Sequence, residues 1–198
     1  MLFRSLMLTF FFTSSLNDGS DAGAEHLDEL IEKIAAGNRD ALASLYEQTN
    51  KSVYGFALSI LKDTHDAQDV LQDCYLHIYS AAGSYRSQGK PMAWILTITR
   101  NLCLKCRQAH SKCAPMPEED RSFIPQEDAE FSAEDKMMLS LCMKSLSDIG
   151  RQIVVLHAVS GLKHREIAAL LKMPLPTVLS NYNRAIKKLQ NAWEKGVQ

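Results

Sequence analysis

From residue 26 onward, apolar residues recur at helical spacing. Leu27, Leu30, Ile31 and Ile34 follow the i, i+3, i+4, i+7 template, and Gly37 stands where a helix of that register stops. Leu42, Leu45 and Tyr46 start a second stripe; Val53, Phe56, Ala57, Ile60 and Leu61 make a third. Asp63 or Thr64 can cap the next helix, which shows Val70, Leu71, Cys74, Tyr75, Ile78 and Tyr79 on one side. Gly83, Gly89 and Pro91 mark a loop, and Met92 to Gln108 reads as a further helix. A separate helical unit resumes near Ala133, with Met138, Leu141, Cys142, Ser145 and Leu146 in one stripe and Ile153, Val154, Leu156 and His157 in the next. No alternating strand or hairpin pattern interrupts these stripes. The expected fold is all-α: two small helical domains joined by an acidic linker, the second with a helix-turn-helix.

The last stripes carry the most specific geometry. Gly161 ends one helix, His164 to Leu171 forms a short one with Ile167, Leu170 and Leu171 inward, and Met173-Pro174-Leu175-Pro176 is a turn. A longer helix starts near Pro176 or Thr177, where proline's missing N–H costs nothing. Val178, Tyr182, Ala185 and Leu189 share its inner face, while Thr177, Ser180, Asn181, Arg184, Lys187 and Lys188 lie largely elsewhere. A short helix, a tight turn and a longer helix with a basic outer face match a helix-turn-helix, whose second helix enters the major groove. The rival is an ordinary helical hairpin with a solvated basic face.

Charge changes the picture through its distribution. The total is −1 over 198 residues, but residues 24–80 carry four basic and ten acidic groups, 81–112 six basic and none acidic. Residues 113–135 carry one basic and eight acidic groups, and 136–198 ten basic and three acidic. Basic blocks suit polyanions and acidic blocks suit basic protein surfaces, so nucleic acid and a second protein are the expected partners. The boundaries follow: a disordered or misannotated extension over 1–25, helical domains over 26–112 and 136–198, and an acidic linker over 113–135. The longest apolar run, Leu6 to Phe12, is too short to span a membrane.

The motifs resemble those of bacterial RNA polymerase sigma factors of the extracytoplasmic-function type. Glu166-Ile167-Ala168, Leu170, Pro174, Thr177-Val178, Ser180 and Arg184-Ala185 look like region 4.2, and Leu146 to Gly161 like region 4.1. Pro176 stands where the family usually has Gly, and Leu179 and Asn181 where it usually has basic residues. Ala36-Gly37-Asn38 with Ala41 and Leu45-Tyr46 resembles region 2.1; Asp66-Ala67-Gln68-Asp69-Val70 with Gln72-Asp73 resembles region 2.2. Tyr85-Arg86, Pro91-Met92-Ala93-Trp94-Ile95 and Ile98-Thr99-Arg100-Asn101 look like regions 2.3 and 2.4. The resemblance covers residues 27 to 192, in the family's order.

It implies a factor that binds core RNA polymerase and directs promoter recognition and melting in the cytoplasm, with no cofactor and no enzymatic chemistry. Core binding, on the β′ coiled coil, falls to Asp66, Asp69, Val70, Gln72 and Asp73. The −10 DNA falls to Tyr85, Arg86, Lys90, Trp94, Arg100, Asn101 and Lys105, and the −35 DNA to Thr177, Ser180, Asn181, Arg184, Lys187 and Lys188, with a second contact to the β flap. Physical chemistry supports this in part. Asp66, Asp69 and Asp73 at i, i+3, i+7 share a face. Melted DNA needs cations for phosphates and surfaces for exposed bases, and Tyr85 is available for stacking. Trp94, in a stripe with Ile95 and Ile98, also fits a core role. Family members are often held by an anti-sigma partner.

Two other readings stay open. A free-standing helix-turn-helix regulator explains residues 136–198 but not the 66–73 and 85–101 runs. A thiol or zinc sensor would use Cys103, Cys106, His110 and Cys113, a spacing that fits no finger or knuckle, so no metal site is expected. Five cysteines cannot all pair internally, and Cys74, Cys103 and Cys142 lie in apolar stripes, as reduced core thiols do.

Overall fold

The computed structural model describes residues 20–111 and 133–196. Helices α1 (Ser20–Ala35), α2 (Arg39–Leu61), α3 (Thr64–Ala81) and α4 (Pro91–His110) form one group, with a 3₁₀ turn at Ala82–Ser84. Helices α5 (Ala133–Lys144), α6 (Asp148–Ala158), α7 (His164–Leu171) and α8 (Leu175–Gly196) form the second. No strand occurs among the described residues, so the fold is all-α as expected. The 1–25 extension and the 113–135 linker fall mostly outside the described residues. Where they enter, α1 already begins at Ser20, earlier than the polar composition there suggests.

Local chemistry sets the boundaries. Gly37 closes α1 at φ +89°, and the Asn38 side chain then accepts from the Asp40 and Ala41 N–H groups to open α2. Lys62 leaves α2 in the left-handed region at φ 61°, and Asp63 caps α3 by accepting from His65 and Asp66 N–H. The second and third apolar stripes belong to one continuous helix. Its polar interruption at Thr49 is buried and satisfied: the Tyr75 hydroxyl donates to Thr49 Oγ1 at 2.7 Å, and Thr49 donates to the Leu45 carbonyl at 2.6 Å.

In the first group, Leu30, Ile31 and Ile34 of α1 pack with Leu45 and Val53, Cys74 and Ile78, and Ile95. A second core starts at the far end of α2, with Phe56, Ala57, Ile60 and Leu61, and takes in Val70, Leu96 and Cys103. It continues without a break into Ile153, Val154, Val155 and Leu156 of α6, and then Ile167, Val178, Ala185 and Leu189 of α7 and α8. Helix α6 lies between α2 and α8, so its residues 150–156 are buried all round instead of presenting one stripe.

The register of α5 differs from the expected stripe. Cys142, Met143 and Leu146 point inward and Leu141 is 53% exposed. Beyond it, buried Arg151 takes up one carbonyl at the end of α5 and one in the turn after it, donating Nε to Met143 O and Nη2 to Leu146 O, each at 3.1 Å.

Candidate docking and nucleic-acid interfaces

Three separate faces carry the residues singled out by sequence. The first is the outer side of α3. Asp69, Gln72 and Asp73 are exposed there, and no Lys or Arg occurs between Thr64 and Ala81. Leu76, 68% exposed, and Tyr79, 45% exposed, continue the same surface at i+3/i+4 spacing. Sequence reasoning missed Leu76, although it stands one turn beyond Gln72 and Asp73. Two residues leave this face. Val70 is 4% exposed and packs in the core, because it falls on the inward side of α3 with Ala67 and Cys74. Asp66 turns toward the end of α4, where its carboxylate lies 3.3 Å from His110 Nδ1.

The second face joins the segment before α4 to the outer side of that helix. Pro91 opens α4 in its first turn. Trp94, Asn101 and Lys105 then follow at helical spacing on one side, with Arg100 at its edge. Asn101, Lys105, Arg86 and Lys90 are exposed. Tyr85 is held rather than loose. Its ring packs on Trp94 with centroids 4.6 Å apart, and its hydroxyl donates to Asp28 Oδ1. Ser87 donates to the other oxygen of the same carboxylate at 2.6 Å. Burial, and then the bond to Asp28, push the Tyr85 hydroxyl well above its ordinary pKa. Asp28 went unnoticed in the sequence, where nothing separates a buried anchor from the surface acids around it.

The third face is the helix-turn-helix. Lys163 N–H donates to Glu166 Oε2 at 2.9 Å, one half of a capping box. Lys172, at φ 56°, ends α7, and Met173 N–H donates to Ala168 O at 2.9 Å. Helix α8 starts at Leu175, a residue earlier than expected. Ile167, Val178, Ala185 and Leu189 close the inner seam. Outside, Ser180, Arg184, Lys187 and Lys188 are exposed and Thr177 and Asn181 half-buried. Arg184 is steadied along the helix, its Nε donating to Ser180 O at 3.3 Å and Nη2 to Asn181 Oδ1 at 3.4 Å. Leu179, 41% exposed, lies on this outer surface.

Beneath the motif, the rings of His157, His164 and Tyr182 form a cluster with centroids 4.4 to 5.1 Å apart. His157 Nδ1 donates to Leu162 O at 2.9 Å, while His164 Nε2 is buried with no hydrogen-bond partner. Burial, then His157, lowers the His164 pKa below 6.5.

Comparison with known proteins bears on the family and the fold. The family models for Sigma-70 region 2 and for Sigma-70, region 4 match residues 45–112 and 136–189. The ECF RNA polymerase sigma factor SigK of Mycobacterium sp. strain KMS is 31% identical over 174 residues, covering 83% of this chain and 89% of the relative. SigK of Mycobacterium ulcerans is 27% identical over 180 residues, covering 87% and 96%. Among solved structures, CnrH bound to the cytosolic domain of CnrY superposes with a TM-score of 0.58 at 19% identity, over 86% of this chain and 98% of that one. RpoE of Bartonella quintana, bound to the anti-sigma factor NepR, gives 0.61 at 20% identity, over 77% and 96%.

The chain belongs to the RNA polymerase sigma factors of the ECF type. Its work is promoter recognition and transcription initiation with RNA polymerase, and sigma factors as a class regulate transcription without enzymatic chemistry.

Proposed function

We propose that the two helical domains, 26–112 and 136–198, divide this work among the three faces. Helix α3 docks on core polymerase through Asp69, Gln72 and Asp73, with Leu76 as the apolar anchor inside a charged rim. The segment from Tyr85 to Lys90 and the outer side of α4 hold the melted −10 strand. Arg86, Lys90, Arg100 and Lys105 neutralise phosphates there, and Asn101 offers a donor and an acceptor to a base edge. The Tyr85–Trp94 pair forms the wall of that site rather than a free stacking finger. Helix α8 enters the major groove at the −35 element, with Thr177, Ser180 and Asn181 near base edges and Arg184, Lys187 and Lys188 on the backbone.

By family resemblance, the core contacts are the β′ coiled coil and the β flap, and the place of work is the cytoplasm. No helix among the described residues is long and apolar enough to cross a membrane, which fits that reading. The chain makes no bonds itself; polymerase does. An anti-sigma protein is the expected regulator, since CnrH and RpoE were each solved in a complex of that kind or with a cytosolic partner domain.

The observation that carries the assignment is the segregation of charge by helix. Helix α3 has no Lys or Arg, and α8 has no acid from Leu175 to Trp193. The test is co-elution with core polymerase at moderate salt, followed by promoter binding. Reversing Asp69 and Asp73 to Lys removes core binding, while Arg184→Ala keeps it and weakens only the −35 contact. Equal loss of both activities in Arg184→Ala overturns the −35 assignment, and retained core affinity in the Asp69/Asp73 reversal overturns the docking face.

A further inference from the structure

The end of α4 and the start of α3 bring together three donors of different chemistry. Cys106 and His110 stand at i and i+4 on the last turns of α4, so they share a face. Asp66, in the first turn of α3, faces them. One ligand atom from each residue — a carboxylate oxygen, the thiol sulfur and a ring nitrogen — lies within 4.8 Å of the other two. Directly below, Ala67 and Cys103 are fully buried, so both helix ends rest on packed core. Cys103, grouped by sequence with Cys106, points into that core and takes no part.

We propose that Asp66, Cys106 and His110 form a binding site for a divalent zinc-class ion that clamps the N-terminus of α3 to the C-terminus of α4. A thiolate, an imidazole and a carboxylate are the mixed donor set that selects zinc over magnesium or calcium, which take oxygen ligands. In a tetrahedral site, donor atoms sit about 3.5 Å apart given metal–ligand lengths of roughly 2.0–2.3 Å. The donor atoms close from at most 4.8 Å, and the His110–Asp66 pair is already at 3.3 Å. Three protein ligands leave a fourth position for water, and His110, with its side chain 60% exposed, keeps an entry path open. The surroundings favour a cation, because Asp63 and Asp69 add negative potential at the thiol beyond that of Asp66. On binding, the Cys106 S–H proton passes to solvent and the sulfur–metal bond replaces it.

The experiment titrates cobalt(II), a spectroscopic probe for zinc sites, into untagged, reduced, full-length protein. One equivalent is expected to give a thiolate-to-cobalt charge-transfer band and to be displaced by zinc. The band disappears in Cys106→Ser, and affinity falls by more than about tenfold in Asp66→Asn and His110→Ala, beyond what a purely outer-shell change causes at its weakest. Zinc raises the melting temperature of the parent protein and not that of Cys106→Ser, a readout that also shows whether the variant folds. Absence of a thiolate band in the parent overturns the site. So does a band that survives Cys106→Ser and vanishes in Cys113→Ser.

Discussion

A single carboxylate, Asp28 of α1, accepts from both Tyr85 and Ser87 and is itself 8% exposed. Asp28→Ala leaves the two hydroxyls without their acceptor, at a cost of about 1–3 kcal/mol. The expected outcome is a lower melting temperature and weaker binding of −10 single strand, with −35 duplex binding unchanged; fluorescence anisotropy on the two DNAs separates them. At Leu179 the outer face of α8 presents an apolar side chain. Leu179→Arg adds a phosphate contact, so non-specific duplex affinity rises and the log–log salt slope steepens by about 1. His164 supplies a pH dependence. Its folded pKa lies below the unfolded 6.5, so the unfolded chain takes the proton first as pH falls. Stability is complete above about pH 6.5 and declines below it towards the folded pKa. Thermal melts across that window show this decline in the parent and a flatter profile in His164→Phe.

At the scale of elements, two helical glycines make opposite predictions. A Cβ on Gly55 of α2 would meet only Val155 Cγ1, at 3.7 Å, an ordinary contact. Gly55→Ala therefore stabilises by about 0.5–1 kcal/mol through helix propensity. A Cβ on Gly150 would sit 3.0 Å from Ser147 Oγ, the group that caps α6, and 3.4 Å from Ala185 Cβ of α8. Gly150→Ala is expected to destabilise by about 1 kcal/mol, read by denaturant midpoint. The elements themselves were largely legible in the sequence, because Asn38, Asp63, Gly37 and Gly161 write their chemistry locally. What escaped was the direction in which polar groups turn. Asp66 and Asp69 look alike in a motif, yet α4 claims the first and solvent the second. Nothing near Thr49 in the sequence announces its buried hydrogen bond, since its partner Tyr75 is 26 residues away. Leu141 turns to solvent while Cys142 and Met143 turn inward, a rotation of α5 that tertiary packing decides.

For the whole molecule, the sequence pattern suggested two domains and gave no sign that they meet. The stripe on α6 names its apolar residues but not the helix that covers them. In the structure, α2 and α6 share buried contacts, Ser52 Oγ donates to Val159 O at 3.2 Å, and Lys62 pairs with Asp148 at 2.8 Å. The exposed ion pair adds at most about 1 kcal/mol; the buried seam holds the halves. Replacing Gly55 by Phe drives a ring against Val155 at this seam, and the expected result is that the halves part. Small-angle scattering is expected to show a larger radius of gyration with unchanged helical circular dichroism.

That continuous core also bears on how the chain melts. When residues from both halves fill one shared core, neither half keeps that core complete after the other unfolds, so the parent protein is expected to absorb heat in a single calorimetric peak. Prising the seam apart exposes Val155 and its neighbours to water and turns one cooperative unit into two of unequal strength. The calorimetric enthalpy of the intact chain then equals the van't Hoff value, while the separated form shows two peaks, the weaker of which sets the temperature at which promoter recognition begins to fail.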